Sequence, residues 1–170
     1  MSDLLMSGSA IFSDDGFYRY RLERDLGRDG PTAAILGVNP SKAGAEVNDQ
    51  TIRKDIGFAE RLGWGRIIKG NKFGHVATDV KELRGCRDPV GPENDTHLEQ
   101  IMRDSDVVVV AWGPLSKLPP HLRNRWKAVV AIADRVGCKL MCLTTAKDGH
   151  PRHTLMLAYA TPLVPWVRPR

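Results

Sequence analysis

The sequence predicts an α/β protein of three layers, α/β/α, with helices on both faces of a central, mostly parallel four-stranded sheet and an N-terminal β-hairpin. Three observations carry that expectation. From residue 33 onward, apolar runs of strand length alternate with segments of helical spacing, the pattern of βαβ units. Two of the runs, Ala33 to Leu36 and Val107 to Ala111, show no polar alternation, as strands buried on both faces do. Strand after strand also closes on Gly or Asn, at Gly37 and Asn39, at Gly70 and Asn71, and at Gly113.

Residues 1–9 read as a loose start and residues 10–26 as the hairpin, with Ala10 to Phe12 and Tyr18 to Leu22 on either side of Asp14-Asp15-Gly16. The core is expected over residues 33–157, all within a single domain of residues 1–170. Pro40 ends the first buried strand, because it cannot donate to a ladder and keeps Asn39 out of the helical region. Asn48 and Asp49 read as the cap of a helix through Leu62, with Ile52, Ile56, Ala59 and Leu62 on one face and Gly63 as its stop. Arg66 to Asn71 is the second core strand, and Thr78 to Leu83 is a short helix capped by Thr78 or Asp79. Asn94 to Arg103 is a helix with Leu98, Ile101 and Met102 inward, followed by the β-branched strand at 107–113. After a loop at 114–120, Trp126, Val129, Val130, Ala133 and Val136 mark another helix, and Lys139 to Thr144 is the last core strand.

With 170 residues, 42% of them apolar and 26% charged, the composition is that of an ordinary globular chain. No apolar run reaches the length of a membrane span and no signal peptide is evident, so a cytoplasmic, monomeric protein with no membrane partner is expected. Cys86, Cys138 and Cys142 form no CxxC pair and have no His at ligand spacing, which predicts reduced thiols and no metal. The net charge of +5 and a pI near 9.3 are compatible with a polyanionic partner. No GxGxxG follows a strand and no Walker A sequence is present, so neither hydride transfer nor phosphotransfer is indicated, and no cofactor is expected.

If the sheet is parallel, the segments ending at Asn39, Asn71, Gly113 and His150 open on one rim, where open α/β sheets bind ligands. Two amides and an imidazole there suit positioning water, reading a planar polar ligand and stabilising a developing anion. His150, between Gly149 and Pro151 on a polar loop, is expected outside the core, whereas Trp64, Trp112, Trp126 and Trp166 read as packing residues. Asp49, Thr51 and Arg53 read as a capping set, with Arg53 one turn into a helix whose N-terminus is able to hold a phosphate.

These pieces resemble the uracil-DNA glycosylase superfamily. Gly37-Val38-Asn39-Pro40-Ser41 is similar to its first motif, Asn71-Lys72-Phe73 to its base-reading segment, Val107 to Gly113 to the strand before a Trp-Gly turn, and Cys142 to Met156 to the last strand and His-Pro loop. Over the whole length the chain resembles domain-of-unknown-function family 1643, through Asn39-Pro40-Ser41, Asp49-Thr51-Ile52-Arg53, Ala77-Thr78-Asp79, Asp88 to Asp95, Ala111-Trp112-Gly113 and Lys147 to His153. The superfamily resemblance implies a DNA-binding monofunctional glycosylase that hydrolyses the N-glycosidic bond of a modified or mismatched pyrimidine. It implies that Asn39 orients the water, or that its neighbours Gly37 and Val38 bind the flipped base. Asn71 would bond the base edge, with Phe58 or Phe73 as aromatic platform, and His150 would stabilise the departing base. Ser41, Arg53, Lys147, Arg152 and His153 would meet phosphates, and Leu155 or Met156 would wedge into the stack. Asn39 stands where the most active branch has Asp, and Arg152 replaces the Ser after His-Pro. Two other readings stay open: a non-catalytic module that binds nucleic acid or a modified base, and a hydrolase of free nucleosides or nucleotides.

Overall fold

The computed structural model describes residues 7–42 and 46–170. Its strands are β1 (Ser7–Phe12), β2 (Arg19–Asp25), β3 (Thr32–Gly37), β4 (Arg66–Asn71), β5 (Val107–Val110), β6 (Leu140–Cys142) and β7 (Val164–Pro165), and its α-helices are α1 (Gln50–Leu62), α2 (Asn94–Arg103) and α3 (Arg125–Val136). They form one sheet in the order β1-β2-β4-β3-β5-β6-β7.

The sheet therefore has seven strands among the described residues, not four. β3 pairs parallel with both β4 and β5, and β5 with β6, while β1–β2, β2–β4 and β6–β7 are antiparallel. The four central strands β4-β3-β5-β6 are parallel, and the antiparallel pairs added on both sides make the whole sheet mixed. The expected hairpin is present, but it is part of the sheet: Leu22 to Asp25 pair with Lys69 to Arg66, which covers the outer edge of β4. Ser7 to Ser9 belong to β1, so that part of the expected loose start is strand, and residues 1–6 lie outside the described residues. β7 was not foreseen; two residues on a Pro-rich tail give no periodic signal.

Alternate side chains of the central strands enter two cores. Ala34, Leu36, Ile68, Val108 and Val110 face α2 and α3, through Leu98, Ile101, Met102, Trp126, Val129 and Ala133. Ala33, Ile35, Ile67, Val109 and Ala111 face α1, through Ile52, Ile56 and Ala59. Each fully buried Leu or Ile contributes roughly 1.5–3 kcal/mol, so these two layers fix which strand ends come together. In α1, Asp49 caps the N-terminus by accepting from the Ile52 amide at 2.8 Å, and Gly63 ends the helix in the left-handed region at φ 77°. The expected helix at 78–83 is a 3-10 turn at Val80–Gly85, held by reciprocal bonds between Asp79 and Glu82. The loop at 114–120 contains a 3-10 turn at Leu115–Lys117, and another follows at Pro120–Leu122. Among the described residues, no helix is long and apolar enough to cross a membrane.

Candidate functional site

β3 and β4 end side by side, Gly37 opposite Asn71, and the chains stay paired beyond the strands: Lys72 N–H donates to the Gly37 carbonyl and Phe73 N–H to the Val38 carbonyl, each at 2.9 Å. This register sets Asn39 and Asn71 beside one cleft. Its walls are Arg19 from β2, Gly37 at the end of β3 with Val38, Asn39 and Ser41 beyond it, Asp49, Thr51 and Ile52 at the start of α1, Lys69 and Asn71 from β4, and His153 from the loop after β6. The enclosed polar space is about 60 Å³, roughly the share of two water molecules. Beyond Val38 and His153, which line both, it meets an apolar hollow of about 240 Å³ between Val80, Trp112, Leu118, Leu155 and Met156.

Asn71 is 5% exposed, yet no protein group among the described residues hydrogen-bonds its side chain. Gly37 makes room for it. A Cβ at position 37 would lie 2.7 Å from Asn71 Oδ1, so close approach, not a special φ, is why glycine stands there. The Asn71 backbone is fixed from behind, because buried Asn94 donates to the carbonyls of Asn71 at 3.0 Å and Lys72 at 3.2 Å.

Asn39 is committed differently. Its amide nitrogen donates to the Ala77 carbonyl at 2.9 Å and the Pro40 carbonyl at 3.2 Å, which leaves Oδ1 as an acceptor. Asp49 Oδ2 accepts from the Ser41 hydroxyl, so Ser41 serves the carboxylate. Burial alone would raise the Asp49 pKa, but the bonds from Ser41 and Ile52 and the charges of Lys69 and Arg19 outweigh it and hold the group below its ordinary value. Burial pushes the Arg19 guanidinium down to about 10, still a cation at neutral pH. Lys69 Nζ lies 2.7 Å from Asp55 Oδ2 of α1, and Thr154 Oγ1 donates to Asp55 Oδ1 at 2.7 Å, which anchors the loop carrying His153. His153 Nδ1 accepts from the Leu155 amide at 3.1 Å, so the neutral ring carries its proton on Nε2. Its pKa is lowered, first by burial and then by Lys69.

The expected site residues thus divide. Gly37, Val38, Asn39, Ser41, Asn71 and His153 meet at the cleft, with Leu155 and exposed Met156 on its apolar lip. His150 does not join them. It is 2% exposed, accepts from Trp112 Nε1 at 3.2 Å, and sits among the rings of Trp112, Trp126 and Trp166, so the expectation of a histidine outside the core is corrected. The bonds from the His150 and Leu115 amides to the Asp148 carboxylate and from Gly113 N–H to the Pro151 carbonyl fold this loop inward over the Trp-rich core. Phe73 is fully buried against Leu83 and Leu118, and Phe58 against Leu143 and Leu157, so neither is a platform. Arg53, Lys147 and Arg152 are exposed and line neither hollow, and the N-terminus of α1 already carries the Asp49 carboxylate where a phosphate was expected. Arg19, Asp49 and Lys69 were missed as site residues; a lysine within the apolar run Ile67-Ile68-Lys69-Gly70 was the available signal.

Behind the cleft, Lys72 is 1% exposed and its amine has no hydrogen-bond partner among the described residues, resting 5.2 Å from the Trp112 ring. Burial, aided by Arg125, pushes its pKa down to about 7. The unfolded chain keeps this proton up to its ordinary value near 10.5, so between about 7 and 10.5 it binds more protons than the folded protein and stability rises with pH. Denaturant titrations from pH 6.5 to 9 should show that rise, and K72M should flatten it; equal slopes in both proteins would contradict the assignment.

Among the described residues, no three His, Cys, Asp or Glu converge as a metal-binding group. No curated protein and no solved structure matches the chain. The family described as protein of unknown function (DUF1643) matches residues 19–155, from Arg19 in the cleft wall to Leu155 on its lip. Four-fifths of the sequence and both walls of the cleft fall inside that match, and the chain belongs to this family.

Proposed function

We propose that the protein binds DNA, takes one altered pyrimidine base into the composite cleft and hydrolyses its N-glycosidic bond, as the resemblance to uracil-DNA glycosylases implies. The observation that carries the reading is the side-chain amide of Asn71, which lines the cleft with no hydrogen bond from a protein group among the described residues and offers a donor and an acceptor to a polar edge beside a hollow walled by Val38, Trp112 and Leu155. In this reading His153, not His150, faces the departing base, and its Nε2–H is the donor that stabilises the developing anion. The net charge of +5 and the exposed Lys147 and Arg152 would favour the phosphate backbone.

One observation favours the non-catalytic alternative: the Asn39 nitrogen is tied to backbone carbonyls, and the Oδ1 that remains is a neutral amide oxygen, a poor base. Oligonucleotides carrying a panel of altered pyrimidines, single- and double-stranded, separate the two. Mass-spectrometric detection of a free base, lost in N71L, is the expected result. Salt-dependent binding with no base released would leave the binding module, and release from free nucleosides without DNA affinity would replace both.

A further inference from the structure

We propose that Asp49 is the catalytic carboxylate of the cleft and takes the proton from the water that attacks the sugar C1′. The inference rests on the glycosylase reading and supplies the base that Asn39 cannot be.

Asp49 is the acidic residue in the wall of the polar hollow, beside Asn39, Asn71 and His153. Its two oxygens receive one protein bond each, Oδ1 from the Ile52 amide and Oδ2 from the Ser41 hydroxyl, so each retains acceptor capacity toward the cleft. Those bonds fix the carboxylate in place and, with the charges of Lys69 and Arg19, outweigh its burial and hold it ionised at neutral pH. A carboxylate held deprotonated beside an amide open to the cleft is the pairing that hydrolysis of a glycosidic bond needs, since one group handles the water and the other the leaving base. In the step, the water oxygen bonds to C1′ and its proton passes to Asp49. The C1′–N bond breaks with its electron pair leaving on the base nitrogen, where the Asn71 amide and His153 Nε2–H bear the charge. The proton on Asp49 then returns through solvent to the base, so one water yields a sugar hemiacetal and a neutral free base.

Asp49 also caps α1, and the test must separate the two roles. Asn caps helices as well as Asp does, so D49N keeps an oxygen for the Ile52 amide and removes the charge, while its amide nitrogen donates to the Ser41 oxygen where the carboxylate accepted from the hydroxyl. The probes are two oligonucleotides, one with a neutral tetrahydrofuran abasic analogue and one with a cationic pyrrolidine in its place, whose charge stands for the oxocarbenium-like sugar. The full-length protein should bind the cationic probe about tenfold or more tightly than the neutral one. D49N should lose that preference, keep its affinity for the tetrahydrofuran probe, melt within about 2 °C of the parent, and release base at least about 100-fold more slowly. Equal preference in parent and D49N, or a D49N that releases base at the parental rate, overturns the role of Asp49 and leaves the glycosylase reading standing. A parent that binds neither probe and releases no base overturns both.

Discussion

Replacing Lys69 by Met should cost about 3–5 kcal/mol of folding free energy, the largest loss expected from any single change near the cleft. Asp55 has no solvent exposure, and its carboxylate is balanced by Lys69 Nζ at 2.7 Å and bonded by Thr154 Oγ1 at 2.7 Å. Without Lys69 the charge stays buried between α1 and β4 with one hydroxyl to solvate it. Desolvation makes such an orphan far more costly than the pair is favourable. The companion variant K69M/D55L separates these terms: with both charges gone and the space filled, stability should return to within about 2 kcal/mol of the parent. Urea titration of the three proteins gives the answer. A K69M protein that loses less than about 1 kcal/mol would mean that water reaches Asp55 and that the pair is not sealed. Because Thr154 adjoins His153, the same variant should also loosen the loop that brings His153 to the cleft.

N71L should do the opposite, leaving the fold intact while base release falls by about 100-fold or more. No protein group among the described residues hydrogen-bonds the Asn71 side chain, so an apolar group of similar shape forfeits no internal hydrogen bond and packs beside Gly37 and Val38. The expected midpoint of unfolding is equal to or above that of the parent. A stabilised, inactive variant is the signature of a residue kept for its ligand. If N71L instead unfolds more easily by over about 2 kcal/mol, the amide is structural, and if it releases base as fast as the parent, Asn71 does not read the base.

Much of the scaffold was legible because it follows from periodicity and punctuation. The run Ala33 to Leu36, the β-branched Val107 to Val110 and the helical spacing of Ile52, Ile56 and Ala59 each express one local rule, and the helix from 50 to 62 lies between the cap and stop that Asp49 and Gly63 announce. What was not legible depends on pairing between distant segments. Nothing in Arg19 to Asp25 says that this strand will lie against β4, yet that pairing brings Arg19 to the cleft. The contrast between His150 and His153 is of the same kind. Three residues apart in one polar loop, they are told apart by the turn at Asp148 and the bond to Trp112, which draw one ring into the core and leave the other at the cleft. Asp55 did leave a trace, as an acid on the inward face between Ile52 and Ile56, and a buried acid on such a face needs a cation to meet it.

The contact between Gly37 and Asn71 makes two positions thirty-four apart in sequence behave as one unit of inheritance. With 2.7 Å between a would-be Cβ and Oδ1, an alanine at 37 displaces the Asn71 amide from its place, and once position 37 carries a Cβ an asparagine cannot return to 71 in the same pose, whereas a glycine at 37 accepts either residue. Relatives that lose the amide are therefore free to drift at the glycine, whereas relatives that keep it are not. The state of position 37 would report, from sequence alone, whether the cleft still holds its reading group.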